Sequence, residues 1–200
     1  MPDLEKEQIQ FEHFMKVTGC VFESPIYQDK PDVYAFRGGY KCGIEITEGG
    51  PEEFHRARVI ARKKGMTSFS SSSLKDNPKD RKRKNTDLEN VISEDHFVNA
   101  EISAVSWANR IAQRILRKAT LLKGGEIENF DQNWLVVIDD VSAIDALNNE
   151  FYRVALMASL GSEHLNEPAF DFTYVVCLRD IFVIDKDQVR GVRRQVSKDC

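Results

Sequence analysis

Residues 31–48 read PDVYAFRGGYKCGIEITE and contain two β-favouring runs that flank a Gly-Gly dipeptide. Gly38 and Gly39 can both adopt the positive φ angles that a tight primed turn requires. The runs on either side are rich in Val, Tyr, Phe and Ile, which are typical of strands. This stretch therefore predicts an antiparallel hairpin, with strands at residues 33–37 and 40–48.

The hairpin places two carboxylates opposite each other. With the two glycines as loop residues, Phe36 pairs with Lys41, and the same register continues to Asp32 opposite Glu45. Opposite Cβ atoms lie about 4.5–5.5 Å apart, and like charges there destabilise a sheet. A hard cation such as Mg²⁺ offsets this repulsion, since one or two protein carboxylates commonly hold it. The alternatives are an acid/base pair that shares one proton, a register that differs by one residue, or one acid that points into water.

The sequence around the hairpin predicts an α/β fold. Apolar residues recur at helical spacing in residues 4–17 and 100–123, and Pro51 suits the first turn of a short helix at 51–64. A further helix is expected at 143–160, and β-favouring runs occupy residues 134–139, 172–178 and 181–184. In this order the elements form one sheet with helices on its faces. The run WLVVID at 134–139 is predicted to be buried on both faces.

Composition indicates one soluble globular domain over residues 1–200. The chain has 42% hydrophobic and 30% charged residues, and its polar N-terminus lacks the apolar stretch of a signal peptide. The four Cys and four His form neither C-x-x-C nor H-E-x-x-H, so no zinc site or disulfide framework is indicated. We therefore expect a cytoplasmic protein that does not enter a membrane.

A basic segment interrupts this domain. Residues 62–84 contain nine Lys or Arg and two Asp, a local charge of +7, so the other 177 residues carry −11 of the total of −4. A serine run, Gly65 and Pro78 predict a flexible loop insertion at 62–87. Its candidate nucleic-acid-binding residues are Arg62, Lys63, Lys64, Arg81, Lys82, Arg83 and Lys84. With Phe69 as its one aromatic residue, the loop favours backbone or duplex contacts over base stacking. A solubilising insertion, or an arm that folds onto the acidic body, remains the alternative.

Asp32 after Pro31, followed by a turn and then Glu45-Ile46-Thr47, resembles the core of the PD-(D/E)XK nuclease superfamily. The resemblance covers residues 4–139 and implies a restriction-endonuclease-like mixed central sheet flanked by helices. Residues 141–200 would then form a C-terminal extension of the same domain that carries a strand pair. The resemblance further implies that the protein acts on DNA, and homodimers are common among such enzymes.

The resemblance also implies a metal site. Asp32 and Glu45 would bind Mg²⁺ or Mn²⁺, and Glu12 on the first helix matches an acid that some members use. Glu48 points to the opposite face from Glu45 by strand alternation and is expected at the surface, unless a bulge turns it towards the metal.

One departure concerns the superfamily lysine, whose position is occupied by Thr47. Thr47 can orient a ligand by a hydrogen bond but supplies no charge. Lys118 lies at the edge of the apolar stripe of the long helix and could project towards the acids, or send its ammonium to water. Lys30 lies opposite Thr47 in the same register and is a second candidate for the missing charge.

These residues predict a metal-dependent phosphodiesterase, a nuclease acting on DNA, with catalytic candidates Asp32, Glu45, Thr47, Lys118 and Lys30. The alternative is a catalytically silent nuclease-fold protein that binds nucleic acid or a protein partner. A third interpretation is an unrelated α/β protein whose match is accidental.

Overall fold

The computed structural model describes residues 4–50, 100–139, 149–177, 180–185 and 188–193. Within these residues the chain forms α1 (Leu4–Thr18), β1 (Glu23–Tyr27), β2 (Val33–Arg37), β3 (Tyr40–Glu48), α2 (Ala100–Lys123), β4 (Gln132–Asp139), α3 (Asn149–Asn166), β5 (Phe172–Cys177), β6 (Asp180–Asp185) and β7 (Gln188–Arg193). The helix predicted at 51–64 and the basic loop at 62–87 lie outside the described residues.

The seven strands form one mixed sheet in chain order. Strands β1, β2 and β3 pair antiparallel, β3, β4 and β5 pair parallel, and β5, β6 and β7 pair antiparallel. Helices flank this sheet, so the predicted α/β class and the C-terminal strands are confirmed. The sequence analysis missed β1 and β7, because β1 is short and mostly exposed and β7 is rich in polar residues.

The hairpin has the predicted register. Phe36 pairs with Lys41 and Tyr34 pairs with Gly43, and the last recorded pair is Val33 with Ile44. Both turn glycines have positive φ, 59° at Gly38 and 86° at Gly39. One further step along the two strands brings Asp32 beside Glu45.

The core lies on both faces of the sheet. Phe11 and Phe14 of α1 pack on one face with a cluster that includes Trp134. Helices α2 and α3 cover the other face, where Ile111 and Leu156 join the second cluster. Strand β4 contributes to both clusters, which explains its uninterrupted apolar run. In the described part of the chain, no helix combines the length and apolar character that crossing a membrane requires.

A buried aspartate ties α2 to the carboxyl ends of the parallel strands. Asp139, at the end of β4, is fully buried, and its Oδ2 accepts a hydrogen bond from the Trp107 indole at 2.7 Å. The Arg110 guanidinium lies 3.6 Å from the same oxygen and donates to the Gly49 carbonyl at 2.8 Å. Since Gly49 directly follows β3, these contacts set the distance between α2 and the ends of two strands.

We expect Trp107→Phe to lower the free energy of unfolding by about 1–3 kcal/mol, because the buried carboxylate loses a hydrogen-bond donor. Urea unfolding measures this loss. In an Asp139→Asn background the same substitution should cost less, since a neutral amide depends less on the donor. Equal losses in the two backgrounds would contradict a coupling between the indole and the carboxylate.

Candidate active site

Asp32 and Glu45 form a buried carboxylate pair between β2 and β3. Their exposed fractions are 8% and 3%. Asp32 Oδ2 accepts a hydrogen bond from the Ile46 backbone N–H at 2.6 Å. This bond runs from the strand that carries Glu45, so the two acids are held side by side by the backbone of the hairpin.

The period-two alternation of β3 decides which way Glu45 points. Ile44 and Ile46 belong to the cluster on the α1 face. Glu45 and Thr47 therefore point to the opposite face, towards α2. A polar side chain thus enters the interior on the face where a helix can supply its partner.

Lys118 of α2 is that partner. Its ammonium makes a direct ion pair with Glu45 Oε1, and the Lys118 side chain is 24% exposed against 4% for Glu45. The sequence left open whether the Lys118 ammonium points to the acids or to water. In the structure it points to the acids. The methylenes still lie along the edge of the apolar stripe, since Ile111, Ile115 and Leu122 of the same helix are buried in the core.

The environment of Asp32 favours its protonated form. Its pKa is raised from 3.8 to about 7, first by burial and then by the neighbouring charge of Glu45. The Ile46 hydrogen bond and the Lys118 charge act in the opposite direction, and the charge of Glu7 adds a smaller upward push on this pKa. Two buried acids and one partly exposed lysine therefore share the site.

Glu7, which the sequence analysis missed, is the acid of α1 whose charge acts on Asp32. The sequence contained a signal for Glu7, because Glu7, Phe11 and Phe14 are spaced i, i+4 and i+7 and so share one helix face.

Glu12, the predicted acid of α1, is exposed and accepts a hydrogen bond from Gln8 at 2.9 Å. The charge of Glu12 adds to burial in raising the pKa of Tyr27.

The remaining candidates make no recorded contact with Asp32 or Glu45 within the described residues. Thr47 is half-buried, two residues after Glu45 on the same strand face. Glu48 is at the surface and forms an ion pair with Lys6. Lys30 is exposed and precedes β2, and within the described part of the chain it forms no ion pair with Asp32 or Glu45. The basic-loop residues Arg62, Lys63, Lys64, Arg81, Lys82, Arg83 and Lys84 lie outside the described part of the chain.

The donor set at the pair fits a hard divalent cation. Glu45 Oε2 is buried and has no hydrogen-bond partner among the described residues. Together with the carboxylate of Asp32 it offers oxygen ligands of the kind that Mg²⁺ and Mn²⁺ take. No group of three or more His, Cys, Asp or Glu side chains that could hold a metal occurs within the described ranges. A cation held by this pair would therefore keep most of its positions for other oxygen ligands.

Comparisons of the chain with protein-family models, with curated proteins and with solved structures give no match.

We expect the pH dependence of stability to report the buried Asp32. Because its folded-state pKa lies near 7, above the unfolded value of 3.8, the folded protein holds more protons between these pH values. The free energy of unfolding should then fall as pH rises from about 4 to about 7, on the order of 3 kcal/mol for this group. Asp32→Asn should remove this slope, since an amide can still accept the Ile46 hydrogen bond without ionising.

Urea unfolding at several pH values measures the slope. Asp29→Asn is the matched control, because Asp29 is exposed. The expectation is wrong if the Asp32→Asn and Asp29→Asn proteins follow the same pH dependence.

Proposed function

We propose that this protein is a metal-dependent phosphodiesterase, a nuclease that acts on DNA. The observation that supports this most directly is the buried pair of Asp32 and Glu45 with the ammonium of Lys118 against it. Two acids that repel each other and a lysine at one side of them supply both a cation-binding group and a positive charge. If these residues had a purely structural role, apolar side chains of similar volume would stabilise the fold at least as well.

Asp32 and Glu45 would hold the cation, Mg²⁺ or Mn²⁺. When bound, such a cation polarises a phosphodiester and lowers the pKa of a coordinated water. Asp32 must lose its proton to serve as a ligand, and its raised pKa of about 7 opposes this loss, so cation binding should strengthen as pH rises through neutrality.

Lys118 takes the role that the superfamily assigns to a lysine at the position of Thr47. Its ammonium is held by Glu45 Oε1 and reaches the pair from the helix rather than from the strand. A positive charge there can orient an attacking water or stabilise charge that develops on the phosphate oxygens. Thr47, on the same strand face as Glu45, can add a hydrogen bond to a ligand.

The proposed substrate, DNA, is a polyanion, and the chain carries a strongly basic segment that could bind it. The basic segment at residues 62–84 carries +7 within an otherwise acidic protein. Cations in such a segment bind phosphates with little sequence preference.

The second candidate function is a catalytically silent member of the fold that binds nucleic acid or a protein partner. The ion pair between Lys118 and Glu45 favours it, because the ammonium already neutralises one of the two acids. In this case the lysine stands in for a metal rather than assisting it.

Metal affinity separates these two functions without a guess about the substrate. We expect calorimetric titration of Mn²⁺ to show one site that Glu45→Gln abolishes. Lys118→Met should bind Mn²⁺ about tenfold more tightly, because it removes a cation that competes for Glu45. Glu48→Gln is the control, since Glu48 lies on the same strand but at the surface. A silent protein would bind no Mn²⁺ until Lys118 is replaced.

Cleavage tests the proposed reaction. We expect Mn²⁺-dependent nicking of plasmid DNA that falls at least about a hundredfold in Asp32→Ala and in Lys118→Met. Gel electrophoresis of supercoiled and nicked forms measures it. Nicking that persists in both variants would remove this site from the reaction. Intact plasmid with a wild-type protein that binds Mn²⁺ would contradict the proposed action on DNA.

A further inference from the structure

We propose that Arg114 and Thr47 form a phosphate-binding subsite beside the carboxylate pair, and that its occupant is a phosphate group of a nucleic acid chain. This inference rests on the proposed function and deepens it, because it names side chains that hold the phosphate of the substrate. Arg114 was not among the candidates from the sequence.

Two contacts place α2 lengthwise over β3. Near the start of the helix, Arg110 Nε donates to the Gly49 carbonyl at 2.8 Å, and eight residues later Lys118 forms its ion pair with Glu45. Eight helical residues span about 12 Å, and the four strand residues from Glu45 to Gly49 span about 13 Å. The helix therefore runs antiparallel to β3 and in step with it.

Arg114 is midway between these two anchors. It lies four residues from each of them, so Arg110, Arg114 and Lys118 share one side of α2, about 6 Å apart. Both anchors extend to β3, and this fixes the direction in which that side of the helix faces. The backbone of Arg114 therefore lies above the middle of the β3 segment between Glu45 and Gly49.

Thr47 is the middle residue of that segment. Side chains alternate along β3, so Thr47 shares the sheet face of Glu45 and Gly49. A Cβ atom at Gly49 would lie 2.8 Å from Ile111 Cδ1, which shows that α2 lies over this face. Thr47 therefore points to the side of the helix that carries Arg114.

Solvent reaches this place although the carboxylate pair is buried. Thr47 and Arg114 are both half-buried, whereas Glu45 is 3% exposed. The ladder between β2 and β3 ends before Thr47, since its last recorded pair joins Val33 to Ile44. Within the described residues, no strand therefore pairs with Thr47 on its β2 side. A ligand would enter the subsite from that side.

Arg114 has a different environment from its two cationic neighbours. Within the described part of the chain its guanidinium forms no ion pair and no hydrogen bond, whereas Arg110 and Lys118 are both engaged. The chain contains 32 Asp and Glu residues, and none of the described ones pairs with Arg114. A guanidinium carries five N–H donors, and leaving them partly buried and unpaired costs free energy. An anion from outside the chain would satisfy them.

The two side chains match a phosphate group. Arginine presents a planar fork whose N–H groups can bind two phosphate oxygens at once. The Thr47 hydroxyl adds one more donor from the strand. Thr47 lies about 7 Å along β3 from Glu45, so a phosphate held here is next to the carboxylate pair. The same donors take a phosphodiester within a chain or a phosphate at its end.

NMR titration tests the subsite and separates these two sources. The probes are the dinucleotide TpT, which has a phosphodiester, thymidine 5′-monophosphate, which has a terminal phosphate, and thymidine, which has neither. All are used in EDTA at constant ionic strength. We expect TpT to shift the Arg114 Nε–Hε and Glu48 amide resonances saturably, and thymidine to leave them unchanged. From the Glu48 amide, Arg114→Gln should weaken TpT binding about tenfold and Thr47→Val about threefold.

Arg117→Gln and Thr120→Val are matched controls, because both residues are exposed on the same helix. Both should leave TpT affinity unchanged. Tighter binding of the monophosphate than of TpT would support the subsite and assign it to a terminal phosphate. A wild-type protein that binds neither phosphate probe, or an affinity that ignores Arg114→Gln, overturns the inference.

Because the titration contains no metal, its outcome is separate from those of the Mn²⁺ and plasmid experiments. TpT binding that depends on Arg114, in a protein that leaves DNA intact, supports the subsite and rejects the nuclease. Mn²⁺-dependent nicking with an unchanged KM in Arg114→Gln supports the nuclease and rejects the subsite.

Discussion

Strand β3 constrains every other part of the site, because it pairs antiparallel with β2 on one side and parallel with β4 on the other. A strand held on both sides cannot slip by one residue without moving its apolar side chains out of the core. Ile44 and Ile46 are anchored in the α1-face cluster. Glu45 is therefore forced to the opposite face and into a buried position, where it must find compensation for its charge.

Three effects compensate for the buried charge of the two acids. Lys118 supplies a charge from α2, the Ile46 N–H supplies a hydrogen bond to Asp32, and the raised pKa of Asp32 allows a proton to take the place of a second cation. Burying acids in this way destabilises the fold relative to apolar side chains, and proteins usually keep such arrangements where they have a use. The proposed cation would replace both the proton and the ammonium.

Helix α2 contacts the sheet at two places. Near its start, Trp107 and Arg110 bind the ends of β4 and β3 through Asp139 and Gly49. Further along, Lys118 meets the carboxylate pair. These contacts fix the height and rotation of the helix above the sheet. One helix therefore holds both the ends of the parallel strands and the carboxylate pair.

The sequence by itself determined the local features of this protein. Gly38-Gly39 set the turn, the turn set the register, and the register placed Asp32 beside Glu45. The apolar spacing of α2 and the continuous apolar run in β4 also predicted these elements correctly, because periodicity is a local property. Tertiary structure alone decided which candidates meet. Lys118 reaches Glu45 across 73 residues, Glu7 rather than Glu12 acts on Asp32, and Phe130 settles over Gly43. Such contacts depend on how helices and loops pack on the finished sheet, and no pattern along the chain records that packing.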